Sequence, residues 1–296
     1  MKSFIVLALA LLVSVNCLGQ SKVLQSLSMK SALLNTSIKY SVYLPDNYDN
    51  SKTNYPVIYL LNGFTGNETD WIMSGDMKAI TDQLIASKTI DPMIIIMPDG
   101  DDRLYMNKND GSYPYEDMFI TELIPFVEKN YRIKSQKTSR AISGLSMGGS
   151  GSLRLALKYH TMFSACAAFS AGISTDDEII AEDQQSFDSY FGRIAPASKG
   201  KTGADRLTEP VKDYDVLRLV NSKDAELLKT VGIYFDCGDD DFLTTGNSQL
   251  HIELVKHKIP HEFRIRDGGH TWEFWRESLP IGLEFINSIF QQKRIN

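Results

Sequence analysis

The chain has 296 residues, 43% of them hydrophobic, enough for one large α/β core, and its composition excludes a disordered, collagenous or coiled-coil protein. A formal net charge of -6, with Lys and Arg scattered rather than clustered, leaves no electrostatic footprint for nucleic acid.

The N-terminus carries Lys2, an apolar run from Phe4 to Val15, and a small-residue exit through Cys17 to Gly19. This reads as a secretory signal over residues 1–19, leaving Gln20 first and one domain over residues 20–296. The run is too short for a stable membrane span. Cys17 offers a lipid anchor as a minor alternative, although Asn16 stands where a lipidation site favours a small residue. Cys166 and Cys237 fit no zinc spacing and read as buried free thiols.

Alternation through Ile38, Tyr40, Val42 and Leu44 predicts antiparallel strands at one sheet edge between Val23 and Leu44. Pro56 to Leu61 is continuously apolar, as a strand buried on both faces must be, and it runs into the glycine loop Asn62–Gly66. A helix between Met77 and Ser87 and a strand over Pro92 to Met97 follow. Asp99, Asp101 and Asp102 miss the spacing of a calcium loop and read as a solvated turn. Next come a helix over Glu116 to Asn130, a strand over Thr138 to Ser143, a helix from Ser150 to Tyr159 and a strand over Phe163 to Phe169. The charged, glycine- and proline-broken stretch 170–211 is expected to form a lid-like insertion beside a site. Strands at Val231–Cys237 and His261–Arg266 and helices at Gln249–Lys256 and Trp272–Phe290 close the chain, with Pro280 bending or splitting the last helix. Strand and helix alternate, so the expected fold class is α/β, a mainly parallel sheet with helices on both faces and antiparallel N-terminal edge strands.

Between the strand ending at Ser143 and the following helix lies Gly144-Leu145-Ser146-Met147-Gly148-Gly149. In this G-x-S-x-G pattern a serine occupies a strained strand-to-helix turn with its hydroxyl projecting off the sheet. A serine hydroxyl needs a base to take its proton, and the base needs an acid to hold its tautomer. His270, behind Gly268 and Gly269, is the base candidate; His160, His251, His257 and His261 sit on or beside helices and read as structural. Asp236, Asp239, Asp240 and Asp241 all compete for the acid's place. The three not used are expected to cap the next helix or face solvent.

Together with Leu60-Leu61-Asn62-Gly63, Met97-Pro98-Asp99-Gly100, Cys237-Gly238 through Asp241-Phe242-Leu243 and Gly268-Gly269-His270-Thr271-Trp272, the elbow resembles the putative-esterase family of α/β-hydrolases. That family includes feruloyl and acetyl-xylan esterases, S-formylglutathione hydrolases, tributyrin esterases and mycolyltransferases. The resemblance implies Ser146 as nucleophile, His270 as base and Asp241 as acid, with oxyanion amides from Phe64 and Met147. Many relatives have His-Gly where this chain has Asn62-Gly63, which keeps the amide and removes an imidazole that braces the loop. The expected protein is an exported serine carboxylesterase acting on acyl groups, acetyl or feruloyl, of extracellular polysaccharide, without metal or cofactor. Trp71 and Trp272 are the candidate substrate contacts, and Tyr105, Tyr113, Tyr115 and Trp275 further aromatic ones. Acyl transfer of the mycolyltransferase type is the alternative reading, and a non-catalytic binding module follows only if His270 or the acid points away from Ser146.

Overall fold

In the computed structural model, which describes residues 20–295, the apolar runs pair into one eight-stranded sheet. The segment read as an export signal, with Cys17, lies outside the described residues. The strands are β1 (Lys22–Ser31), β2 (Thr36–Leu44), β3 (Val57–Leu61), β4 (Ile94–Pro98), β5 (Arg140–Leu145), β6 (Ala165–Phe169), β7 (Gly232–Gly238) and β8 (Glu262–Arg266), ordered β1-β2-β4-β3-β5-β6-β7-β8. β1 and β2 pair antiparallel, as do β2 and β4, and the pairings from β4 through β8 are parallel. The α/β-hydrolase expectation therefore holds, antiparallel edge included.

Every residue of β3, β4, β5 and β6 is buried because helices cover both faces. Successive side chains point to opposite faces. Tyr59, Leu61, Ile142 and Phe235 join the core under the helices Met147–Lys158 and Thr244–Lys256, whereas Ile58, Leu60, Ala141 and Tyr234 join the core under Met77–Ala86 and Trp272–Ile295. Strand order reverses around β3, with β4 on one side and β5 on the other. A crevice at the C-terminal ends of these strands is where such sheets gather a site.

One helix departs from expectation, and another settles an open choice. Trp272–Ile295 continues through Pro280, so of the two expected forms, bent or split, the split one is excluded. A proline inside a helix costs about 3 kcal/mol, and burial of Phe274, Trp275, Leu279, Leu283, Ile286 and Phe290 against the sheet outweighs it. The helix expected at Glu116 to Asn130 is three joined segments, Tyr115–Met118, the π-turn Phe119–Leu123 and Ile124–Asn130. Pro125 has no N–H for the ladder, and the wider turn directly precedes it.

The chain between β6 and β7 is a set of short helices, including Asp176–Ala181, Gln184–Tyr190 and Glu209–Tyr214. Thr175 and Glu178 form a capping box on the first, and Asp183 caps the second. Buried Arg206 donates to the carbonyls of Ile179, Ile180 and Glu182 and to the Gln184 side chain, so one guanidinium ties the loop ends together.

Candidate active site

Ser146 stands between the end of β5 and the first residue of helix Met147–Lys158, at φ 52° and ψ -117°. A non-glycine residue there is strained, and such strain persists only where surrounding packing imposes it. The packing is visible at Gly148: a Cβ would lie 2.6 Å from the carbonyl oxygens of both Leu61 and Asn62, so only glycine lets the elbow press against the end of β3.

Two loops at the same sheet edge bring up the partners. Gly238 closes β7, and a Cβ on it would lie 2.0 Å from the Gly268 carbonyl oxygen. That close approach lets the Asp239–Asp241 turn lie along the Gly268–His270 loop, where Asp240 N donates to Gly268 O at 3.0 Å and Gly268 N to Asp239 Oδ1 at 3.1 Å. His270 Nε2 consequently sits 2.9 Å from Ser146 Oγ, and His270 Nδ1 sits 2.9 Å from Asp241 Oδ2. Of the four competing aspartates, Asp241 alone meets the imidazole in these hydrogen bonds.

Asp241 is almost fully buried. Burial pushes its carboxyl up, but the hydrogen bond from His270, the Leu243 amide at 2.9 Å, the charge of the imidazolium and the Ser170 hydroxyl together hold it below the usual carboxylate range. Ser170, itself at φ 43°, accepts the indole N–H of Trp275 at 3.1 Å, and that indole stands edge-on to His270 with centroids 4.8 Å apart. Ser170 and Trp275 thus hold both Asp241 and His270. Sequence reading passed Ser170 over because a serine after a strand has no distinguishing pattern.

The unused aspartates correct one expectation. Asp236 neither caps a helix nor faces solvent: it is fully buried, accepting from the Tyr234 hydroxyl at 2.9 Å and from Arg266 Nη2 at 3.0 Å. Asp239, Asp240 and Asp267 form an exposed group. Of the earlier acidic turn, Asp102 Oδ1 accepts the Thr65 amide and Asp101 Oδ2 accepts the Tyr113 hydroxyl, so these groups hold loops in place.

Met147 supplies the first amide of its helix, a position with no intrahelical acceptor. Phe64 lies on the loop after β3, which lines the same cavity as Ser146 and His270. Asn62, standing where many relatives have a histidine, itself braces this loop. Its carboxamide is buried and donates to Gly63 O at 2.9 Å while accepting from Gly100 N and the Tyr105 hydroxyl.

The cavity in front of Ser146 measures about 540 Å³. Phe64, Phe187, Tyr190, Phe191, Phe242 and Trp272 give it an aromatic wall, three of them from the segment after β6. Tyr190 is anchored from behind, its hydroxyl 2.6 Å from that of Tyr214, which lies 2.5 Å from Ser150 Oγ on the elbow helix. Trp272 and Trp275 line the cavity as candidate contacts. Trp71 instead is buried beneath it, donating to Leu61 O at 2.9 Å and standing edge-on to Trp272 at 5.4 Å. Tyr105 and Tyr115 are likewise buried, so their rings support the site from within.

Among the described residues no helix is long and apolar enough to cross a membrane. Cys166 and Cys237 are buried free thiols, and burial raises both, Cys237 to about 12.

A family described as Putative esterase matches residues 31–286. The acetyl esterase of Caldicellulosiruptor saccharolyticus is 26% identical over 249 residues, covering 81% of this chain and 86% of that protein. An endo-1,4-beta-xylanase/feruloyl esterase of Xylanibacter ruminicola is 36% identical over 146 residues, 47% of this chain and 20% of that larger protein. Among solved structures, a ferulic acid esterase is 32% identical with a TM-score of 0.76, covering 92% of this chain and 99% of that one.

Proposed function

Because the chain belongs to the putative-esterase family and is an enzyme of the esterase class, we propose that it is an exported serine carboxylesterase that removes acyl groups, acetyl or feruloyl, from polysaccharide. The observation that carries this reading is the continuous hydrogen-bond chain from Ser146 Oγ through His270 to buried Asp241, opening on an aromatic cavity.

Ser146 Oγ attacks the ester carbonyl while His270 Nε2 takes its proton. Asp241 accepts from His270 Nδ1, which keeps the Nε2 lone pair toward the serine and stabilises the imidazolium as it forms. The carbonyl oxygen becomes an oxyanion, and the Phe64 and Met147 amides receive it. His270 then protonates the departing alcohol oxygen, leaving an acyl group on Ser146. A water activated by the same imidazole attacks the acyl carbonyl, releasing the acid and restoring the serine.

Acyl identity rests on the relatives' names together with the cavity. One relative is an acetyl esterase and another carries a feruloyl esterase, while a cavity of about 540 Å³ walled by aromatic rings suits an aromatic acyl group or a sugar. The helices after β6 serve as a lid whose Phe187, Tyr190 and Phe191 face the substrate. The export part of the proposal rests on Lys2, the apolar run Phe4 to Val15 and the Gly19 exit.

The test is hydrolysis of 4-nitrophenyl acetate by the protein beside Ser146→Ala, with fluorophosphonate labelling of both. Loss of turnover and of label in the variant is expected; equal rates in the two proteins would remove Ser146 from the mechanism. Acetylated and feruloylated oligosaccharides then rank the acyl group, and product analysis with an added acceptor alcohol separates hydrolysis from transfer.

A further inference from the structure

Asn62 closes β3 as a polar side chain only 1% exposed, and burying a carboxamide is costly unless its hydrogen bonds are made. Here one of them goes to the Gly63 carbonyl, which also accepts the Gly66 amide at 3.2 Å. Nδ2–H donates to the Gly63 carbonyl at 2.9 Å, and Oδ1 accepts from Gly100 N at 3.1 Å and from the Tyr105 hydroxyl at 2.8 Å. The Gly63 carbonyl and the Phe64 N–H belong to the same planar trans peptide, so holding the oxygen fixes the direction of the N–H. A hydrogen bond on that carbonyl also polarises the amide and strengthens its N–H as a donor.

The following residue is constrained as well. Thr65 has φ 66°, an outlying conformation for a β-branched side chain, and its amide donates to Asp102 Oδ1 at 2.5 Å. The Arg193 guanidinium lies over the Phe64 ring at 5.1 Å and 3.8 Å from Asp102. Asn62 thus holds the peptide before Phe64, and Asp102 holds the one after it.

We propose that Asn62, held in register by Tyr105, is a positioning residue that aims the Phe64 amide at the developing oxyanion. The proposal rests on the serine-esterase reading above. Its signature is a loss confined to the transition state, because Asn62 has no direct contact with bound ester.

Three variants test it: Asn62→Asp, Asn62→Ala and Tyr105→Phe. Asn62→Asp keeps the volume and the acceptor for Gly100 and Tyr105 but turns a carboxylate oxygen toward the Gly63 carbonyl, which drives that peptide to rotate. Measured well below each variant's melting temperature, kcat of Asn62→Asp and Asn62→Ala is expected to fall about 10- to 100-fold. KM should stay within about twofold, because only transition-state contacts are lost. The inhibition constant of an arylboronic acid, whose adduct with Ser146 presents a tetrahedral oxygen to the same amide, should rise with the fall in kcat. Tyr105→Phe should show a smaller change of the same form. If Asn62→Ala does not fold, Asn62→Asp and Tyr105→Phe carry the test. Folded Asn62→Asp with wild-type kcat and boronate affinity overturns the proposal, as does a rise in KM alone. Ser146→Ala in parallel distinguishes the two failures: it must lose turnover and boronate binding for the esterase reading to stand, whatever Asn62 does.

Discussion

Replacing Asp241 with asparagine tests the arrangement most sharply, since it changes one buried atom. Besides the Ser170 hydroxyl, Asp241 meets the Leu243 amide on Oδ1 and the His270 ring on Oδ2. The backbone amide cannot reverse its role, so the new carboxamide must offer its oxygen to Leu243 and its NH2 to the imidazole. His270 Nδ1 then becomes an acceptor, which moves the ring proton to Nε2, the atom 2.9 Å from Ser146 Oγ. A base already carrying a proton cannot take the serine's. The expected fall in kcat is about 10,000-fold, equivalent to about 5 kcal/mol of barrier. Stability moves in a characteristic way. The native carboxyl is held below its ordinary value, so its contribution is present above the unfolded-chain pKa and lost as pH falls through the depressed one. The variant lacks that titration and should lose less stability on acidification. The assay is 4-nitrophenyl acetate turnover near neutral pH, paired with denaturant melts on the acid side. Turnover within about tenfold of the parent would refute the tautomer argument.

Two further outcomes follow from other parts of the fold. Burial pushes Asp215 up to about 6, so its contribution is fully present below the unfolded carboxylate value and is lost as pH rises through about 6. Asp215→Asn keeps the cap on Leu217 N and should be more stable by about 1–2 kcal/mol at pH near 8 but not near 4, after solvent screening is allowed for. Denaturant midpoints at the two pH values decide it, and an equal shift at both would refute it. Phe242 is 72% exposed, lines the cavity and has its ring centroid 4.7 Å from that of His270, beside the imidazole that would protonate a leaving alcohol. Phe242→Ala should raise KM about three- to tenfold for esters of bulky alcohols, leaving methyl esters and melting temperature nearly unchanged. Equal KM changes across both ester classes would sink that assignment.

Much of the fold was legible in the residues alone. Apolar runs located β3 to β7 because strands buried on both faces need them, alternation marked the N-terminal edge between Val23 and Leu44 as antiparallel strands without dividing it, and β8 was expected at His261–Arg266. The elbow was legible because its turn tolerates so few residues: Gly148 must lack a Cβ to meet Leu61 and Asn62. Less legible were the contacts that side chains make across the sheet. Nothing in the run Asp236 to Asp241 tells a buried partner of Arg266 from the carboxylate facing His270, and family resemblance alone singled out Asp241. Pro280 was read by its local cost, and the core contacts of a long helix outweighed it. Trp71 and Trp272 looked alike as aromatic candidates, yet one lies under the cavity and the other on its wall.

By itself the amino-acid order determined what depends on neighbours within a few positions: strands, helices, the strained serine turn and the glycines around it. Those are local choices of backbone geometry, set by sterics and hydrophobic spacing. Only the tertiary structure decided which aspartate meets His270, that Asn62 grips the Gly63 carbonyl, that Ser170 and Trp275 brace Asp241 and His270, and that the segment after β6 walls the cavity. Most of these partners lie tens to hundreds of positions apart in the chain, and hydrogen bonds act over about 3 Å. Their pairing exists only once the sheet has brought the strand ends to one edge.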